Sequence, residues 1–229
     1  MNGKVPLVMI PGTLCTERTF AEQAASLRDI AEPSAPLPVE GVDLKACAAG
    51  ILGRAPERFA LLGFSLGGLV ALEIMRQAPE RAQRLCLLAT NPRGSTPQNL
   101  ETWAHWRLEV ATGGFLDIIQ AHADGVYTGN PEARAPVMEM ACALGPDTFL
   151  KQLNILESRP DSRPSLRAIS CPTLLIAGRQ DKVTPPKLLE EMHGLIPHSR
   201  LVTLPACGHY AALERPRAVT KLLREWLEA

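Results

Sequence analysis

The chain has 229 residues, 46% apolar and 21% charged, enough for one full hydrophobic core or two small domains. Lys+Arg and Asp+Glu number 24 each, and without a block of five like charges nothing supports binding to nucleic acid or to a membrane through a polybasic surface. The longest uncharged stretch, Phe59 to Leu72, contains three glycines and is shorter than the ~18 apolar residues a membrane span needs.

Val5–Ile10 is a short apolar run stopped by Pro11-Gly12, which predicts a buried strand with a turn behind it. Phe20, Ala24 and Leu27 recur at helical spacing within Glu17–Arg28. Prolines at 33, 36 and 38 leave room in Ala31–Gly41 for no more than a short edge strand. Asp43 is placed to cap a helix through Leu52. Arg58–Phe64 is a second buried strand and runs through Ser65-Leu66-Gly67-Gly68 into the helical stretch Leu69–Gln77. Arg84–Thr90, Pro172–Ala177 and Leu201–Leu204 are further strands, and Tyr210–Leu227 a closing helix. Short apolar strands alternating with amphipathic helices predict an α/β fold: a mostly parallel sheet of about six strands with helices on both faces. Between Asn91 and Ser170 the alternation stops. Three or four helical segments (roughly Gln98–Ala111, Phe115–Tyr127, Pro131–Leu144 and Asp147–Glu157) form a helical insertion there, punctuated by Pro97, Gly113-Gly114, Pro131 and Gly145-Pro146.

Gly63-Phe64-Ser65-Leu66-Gly67 carries the chemistry. The pattern G-x-S-x-G is weak by itself, but here an apolar strand leads in and an apolar helix leads out. A serine on so tight a turn projects its hydroxyl above the sheet edge, and side chains two residues either side would collide, hence glycine at both places. The following helix N-terminus aims N–H groups and partial positive charge at the same point. A serine hydroxyl is a poor nucleophile at neutral pH and needs a base that is itself oriented. His209, in Cys207-Gly208-His209 after the last strand, is the candidate base, and activity should fall on the acid side as its imidazole protonates. His193 and His198 read as solvated surface; His105 and His122 fall in the insertion, where a lone helical histidine is more often packed than functional. Asp181, in Gly178-Arg179-Gln180-Asp181 directly after a strand, is the candidate orienting acid; the rival place after Thr90 carries Asn91, which holds no charge. The oxyanion hole requires two N–H donors. Leu66 supplies one; for the other, the loop Pro11-Gly12-Thr13-Leu14 offers Thr13 first and Leu14 second.

Together these segments resemble the α/β-hydrolase family: IPGTLC, LLGFSLGGLVALEI, LLIAGRQDKVTP and CGHYAALERP occur in the family's order and span nearly the whole chain. The resemblance implies a core of residues 1–91 and 170–229 and a helical cap of 92–169 inserted before the acid-bearing strand. It also implies an activity like that of small serine carboxylesterases, including those acting on methyl esters of acyl carriers, with carbon–carbon bond hydrolases and lactonases close by. Two departures stand out. Pro11-Gly12 replaces the His-Gly of many members, and the first strand corresponds to the family's third, so the N-terminal antiparallel hairpin is expected to be absent. Serine at the turn argues against the dehalogenase and epoxide-hydrolase branches, which use aspartate. Glu214 matches a glutamate often found in the family's last helix, with a structural hydrogen bond as its expected role.

The expected reaction is a two-step acyl transfer through an acyl-enzyme on Ser65, on a small-molecule ester, without metal or organic cofactor. An acyltransferase or a slow ligand receptor on the same scaffold are the rivals, besides carbon–carbon bond and lactone hydrolysis. Leu14, Phe64, Trp103, Trp106, Tyr127 and Tyr210 are the candidate substrate-binding residues. The insertion's seven basic and nine acidic residues give no signal for a highly charged substrate. The six cysteines form no CxxC pair and, with no leader segment evident, read as reduced thiols of a cytoplasmic chain, monomeric or homodimeric. Cys15 and Cys207 should lie near the site, as apolar filler or as thiols whose alkylation would block it.

Overall fold

The computed structural model describes residues 4–34, 39–126 and 131–229. Six strands form one sheet in the order β2-β1-β3-β4-β5-β6, with every pairing parallel: β1 Val5–Ile10, β2 Ala31–Pro33, β3 Phe59–Phe64, β4 Ala82–Leu88, β5 Thr173–Gly178 and β6 Ser199–Leu204. The expected mostly parallel sheet is therefore wholly parallel among the described residues. Parallel strands need crossovers, and the chain supplies them as α1 Ala21–Ser26, α2 Leu44–Arg54, α3 Leu66–Gln77 and, between β5 and β6, α8 Pro186–His193. The helical insertion between β4 and β5 consists of α4 Pro97–Ala111, α5 Phe115–Val126, α6 Arg134–Glu157 and the single turn α7 Arg163–Leu166; α9 Ala211–Glu214 and α10 Pro216–Glu228 close the chain.

Strand period decides which residues meet which layer. Val8, Ile10, Leu61, Leu85, Leu87, Leu175 and Ala177 face α2, α3 and α8. Leu7, Met9, Ala60, Leu62, Leu174 and Ile176 face α1 and α10, which brings Val219, Leu223 and Trp226. β3 and β5 are buried along their whole length because both faces are covered. A third cluster, Leu14, Trp103, Phe115, Ile118, Ile119, Phe149 and Leu153, joins the insertion to the loop after β1.

Local chemistry explains where elements begin and end. The Asp43 carboxylate accepts from the Ala46 N–H and starts α2. Thr96 and Asn99 form a capping box ahead of α4, with Pro97 in the first turn. Gly145, at φ 73°, breaks α6 where two separate helices were expected. The expected continuous closing helix Tyr210–Leu227 is instead split at Arg215 (φ −133°), because Pro216 drives the residue before it out of helical geometry.

β1 leads outward to β2, and the chain then returns to place β3 on β1's other side. The crevice above β1 and β3 is thus a topological switch point, where open α/β sheets bind their ligands. Backbone strain gathers at the same rim. Among the described residues, four that are not glycine adopt left-handed φ values of 45° to 51°: Leu14, Ser65, Ala89 and Ala206. Each lies in the loop that follows a different strand, β1, β3, β4 and β6.

Candidate active site

Ser65 sits between the last residue of β3 and the first of α3, at φ 51° and ψ −114°. The turn is possible only without side chains around it. A Cβ on Gly67 would lie 2.1 Å from the Ile10 carbonyl oxygen, and one on Gly63 2.4 Å from the Gly67 oxygen. Ser65 is held from both sides: its N–H donates to the Leu88 carbonyl at 3.0 Å, and its carbonyl accepts from the Thr90 hydroxyl at 2.8 Å.

Ser65, Asp181 and His209 come from three different strand ends and meet. The Ser65 Oγ lies 3.0 Å from His209 Nε2, and His209 Nδ1 lies 2.8 Å from Asp181 Oδ2. His209 and Asp181 are buried. Four donors fill the Asp181 carboxylate. The Val183 and Thr184 N–H groups reach Oδ1 at 2.8 Å each, and the Thr184 hydroxyl at 2.7 Å joins His209 on Oδ2. Burial pushes the Asp181 carboxyl up, but the His209 charge and the hydrogen bonds from His209 and Thr184 outweigh it and hold the group below the usual carboxylate range. The charge on Asp181 keeps the proton on Nδ1, which leaves Nε2 free to accept from Ser65.

The loop bearing His209 is itself clamped. Glu214, buried at the start of the last helical pair, accepts from the Gly208 N–H at 2.7 Å and the Tyr210 N–H at 3.0 Å, one residue either side of the histidine. The hydrogen bond expected of Glu214 is thus a pincer on the His209 backbone. Gln180 ties the acid loop to the same segment, its side chain accepting from the Cys207 N–H at 2.7 Å and its N–H donating to the Cys207 carbonyl at 2.8 Å. Gly178 is needed there, since a Cβ would stand 2.0 Å from the Gly208 oxygen.

Leu66 opens α3, so its N–H has no carbonyl within the helix to bind. Of the two donors offered by the first loop, Leu14 is already engaged: its N–H donates to Gln152 Oε1 at 2.8 Å, in a buried bond that reaches across from α6. The Thr13 N–H has no partner among the described residues, so of the two candidate donors it is the one still free to meet a ligand.

A cavity of about 300 Å³ opens beside Ser65 and His209. Of the candidate substrate-binding residues, Leu14, Phe64, Trp103, Trp106 and Tyr210 line it, while Tyr127 falls outside the described residues. The Phe64 ring packs on both His209 and Tyr210, with centroids 5.1 and 5.5 Å apart. Two charge-bearing residues also line the cavity. His122, on α5, was visible in the sequence only as one helical histidine among several; burial and the nearby His209 charge lower it to about 4, so it is neutral at ordinary pH. Arg159, just past α6, carried no signal. Cys15 and Cys207 are buried beneath the site without lining the cavity. Burial pushes both thiols up to about 12, which disfavours the thiolate a nucleophile needs. Among the described residues no group of three or more His, Cys, Asp or Glu could hold a metal ion, and no helix is long and apolar enough to cross a membrane.

Residues 15–222 match the sequence profile of the alpha/beta hydrolase family. The chain belongs to that family. It is an enzyme of the hydrolase class, and the relatives it is similar to are esterases. The chain is 31% identical over 177 residues to a pimeloyl-[acyl-carrier protein] methyl ester esterase of Nitrosomonas europaea, covering 72% of this chain and 70% of that protein. A protein of the same name from Neisseria meningitidis is 30% identical over 199 residues, covering 83% and 77%. Among solved structures, a malate-bound thermophilic esterase from Thermogutta terrifontis superposes with a TM-score of 0.89 at 27% identity, over 99% of this chain and 90% of that one. An enol-lactonase from Burkholderia xenovorans superposes at 0.87 with 20% identity, over 100% and 93%, a likeness of fold alone.

Proposed function

We propose that this hydrolase cleaves small or medium carboxylic esters through an acyl-enzyme on Ser65. The observation that carries the reading is the unbroken chain Ser65 Oγ–His209–Asp181, with contacts of 3.0 and 2.8 Å, in the wall of a closed-over cavity. In the first step the Ser65 oxygen attacks the ester carbonyl while His209 Nε2 takes its proton. The carbonyl oxygen, becoming an oxyanion, turns toward the Leu66 and Thr13 N–H groups, which stand ready without reorganisation. Asp181 balances the imidazolium. His209 then protonates the leaving alcohol, and the reverse sequence with water frees the acid and restores the serine.

Residues 92–169 act as a cap on a core formed by 1–91 and 170–229. The cap supplies Trp103, Trp106, Phe149 and the isoleucines of α5 as an apolar wall suited to an acyl or alkyl group. The esterase relatives, named for methyl esters on an acyl carrier, favour a small leaving alcohol. All the cysteines are unpaired, in keeping with a reducing, cytoplasmic setting.

Replacing Ser65 by Ala tests the assignment. Turnover of p-nitrophenyl butyrate should fall at least ~10³-fold with the melting temperature retained. A fluorophosphonate probe should label wild type once per chain and leave the variant unlabelled. Near-wild-type turnover by the variant would overturn the reading.

A further inference from the structure

Arg159 is the arginine that lines the cavity beside Ser65. Arg18, Arg76, Arg93, Arg107, Arg163, Arg200 and Arg224 lie toward solvent, and each has a carboxylate partner. Arg159 lines the cavity, and burial lowers its guanidinium to about 10. Its side-chain hydrogen bond, Nη2 to Asn99 Oδ1 at 3.1 Å, goes to a neutral acceptor. Nε is sealed from solvent and unpartnered among the described residues. The guanidinium lies over the Trp103 ring, 5.2 Å from its centroid, so its position is fixed by stacking from one side and by Asn99 from another.

Arg159 is half-buried, and a cation partly withdrawn from water without an anion is costly, so that a protein keeping one ordinarily supplies a partner or leaves it for a ligand. No carboxylate among the described residues plays that part. A planar guanidinium with donors to spare is instead the group best suited to grip a carboxylate. Its place in the wall of the cavity that contains Ser65 means that a substrate bound there has its ester at one point of the cavity and this cation at another.

We infer that Arg159 is the subsite for a carboxylate carried by the substrate, so that the preferred esters are half-esters of dicarboxylic acids or esters whose alcohol bears an acid group. The inference rests on the esterase reading of Ser65 and deepens it. It also accounts for a cap whose near-balanced charges hid the signal: all the cap's basic residues enter the count equally, and only folding shows which one lines the cavity.

The test compares matched esters by proton release at constant pH. Monomethyl esters of C4 to C7 dicarboxylic acids are set against methyl esters of monocarboxylic acids of the same length. Carboxymethyl butyrate set against ethyl butyrate places the acid on the alcohol side. In wild type kcat/KM should favour the acid-bearing ester of at least one pair. Arg159→Met should lower that charged-to-neutral ratio about 10- to 100-fold, chiefly through KM, as loss of a charge-assisted pair requires. Arg159→Lys should retain part of the preference, and Arg159→Gln serves should the Met variant not fold. A ratio unchanged by substitution, or no preference for either acid-bearing arm, would overturn the subsite. Calorimetry separates this from failure of the esterase reading. Binding of glutarate and adipate to Ser65→Ala should weaken about 10-fold or more when Arg159→Met is added. If no ester turns over, that binding result decides the subsite alone, and equal or absent binding overturns it.

Discussion

The sheet rim and the roof above it treat their polar groups in opposite ways. At the rim, Asp181 has four donors, Glu214 pins both neighbours of His209, and Gln180 locks the acid loop to the histidine loop. In the roof, His122 and the Arg159 guanidinium face the cavity, and neither has a carboxylate partner among the described residues. On the proposed mechanism the difference separates two tasks: groups that would hold one geometry through a reaction are satisfied by the protein itself, whereas groups that would meet what changes from substrate to substrate are left for the ligand.

The contrast can be broken most drastically at Gly67. Gly67→Ala would force its Cβ to within 2.1 Å of the Ile10 oxygen, so β1 and the serine turn must separate. It should cost about 3 kcal/mol or more in denaturant unfolding and about 100-fold in kcat, since a shift of 1 Å at the reacting group has that effect. No substitution confined to the roof should do both.

Gln152 crosses the seam between the two regions. Gln152→Leu leaves the buried Leu14 N–H without an acceptor and should cost about 1–3 kcal/mol. At about 2–4 °C per kcal/mol for a chain of this size, the melting temperature reports it. Because Leu14 adjoins Thr13, kcat should fall more than KM rises, about 10-fold. Gln152→Glu, which keeps an acceptor oxygen, should restore much of kcat; a loss in stability with kcat intact would reduce Gln152 to packing.

His122 offers the smallest and most specific test. Its folded value near 4 lies below the ~6.5 of a free imidazole, so between those values the unfolded chain takes up a proton that the folded site refuses. Its neutral form therefore carries no penalty above the unfolded value, and stability is lost as pH falls from about 6.5 toward 4. His122→Phe should flatten that limb of the melting-temperature profile and leave the neutral-pH side nearly in place. An identical acid limb in the variant would mean that His122 protonates freely.

The rim was far more legible in the sequence than the roof, for a physical reason. Ser65, Asp181 and His209 each lie in the loop after a strand, and in a parallel sheet every strand's C-terminal end emerges on the same edge, so one-dimensional positions become neighbours once topology is known. The glycine collisions at 63 and 67 are visible as pattern because only one residue type fits. Roof positions obey no such rule. Which side of a helix faces the cavity depends on how four segments lean together. The left-handed break at Gly145 resets the phase midway through α6, so Gln152 sits in a polar run, Lys151-Gln152-Leu153-Asn154, that reads as solvent face. Arg159 follows the helix end in Ser158-Arg159-Pro160, an ordinary surface string until Trp103 and Asn99 fold against it. The Arg215 split was within reach, since Pro216 announces it.

The four left-handed residues after β1, β3, β4 and β6 have a consequence for anyone altering the molecule. Such a backbone costs of order 1–3 kcal/mol at each non-glycine position, and all of it is stored on one edge of the sheet. Glycine at Ala89 or Ala206 would relieve that strain without removing a side chain that touches the cavity. The opposite edge has no comparable tension among the described residues. Thermostabilising work therefore has a map: relax the two alanine corners, strengthen the far edge at will, and leave Leu14 and Ser65 strained, because both line the cavity of the proposed reaction.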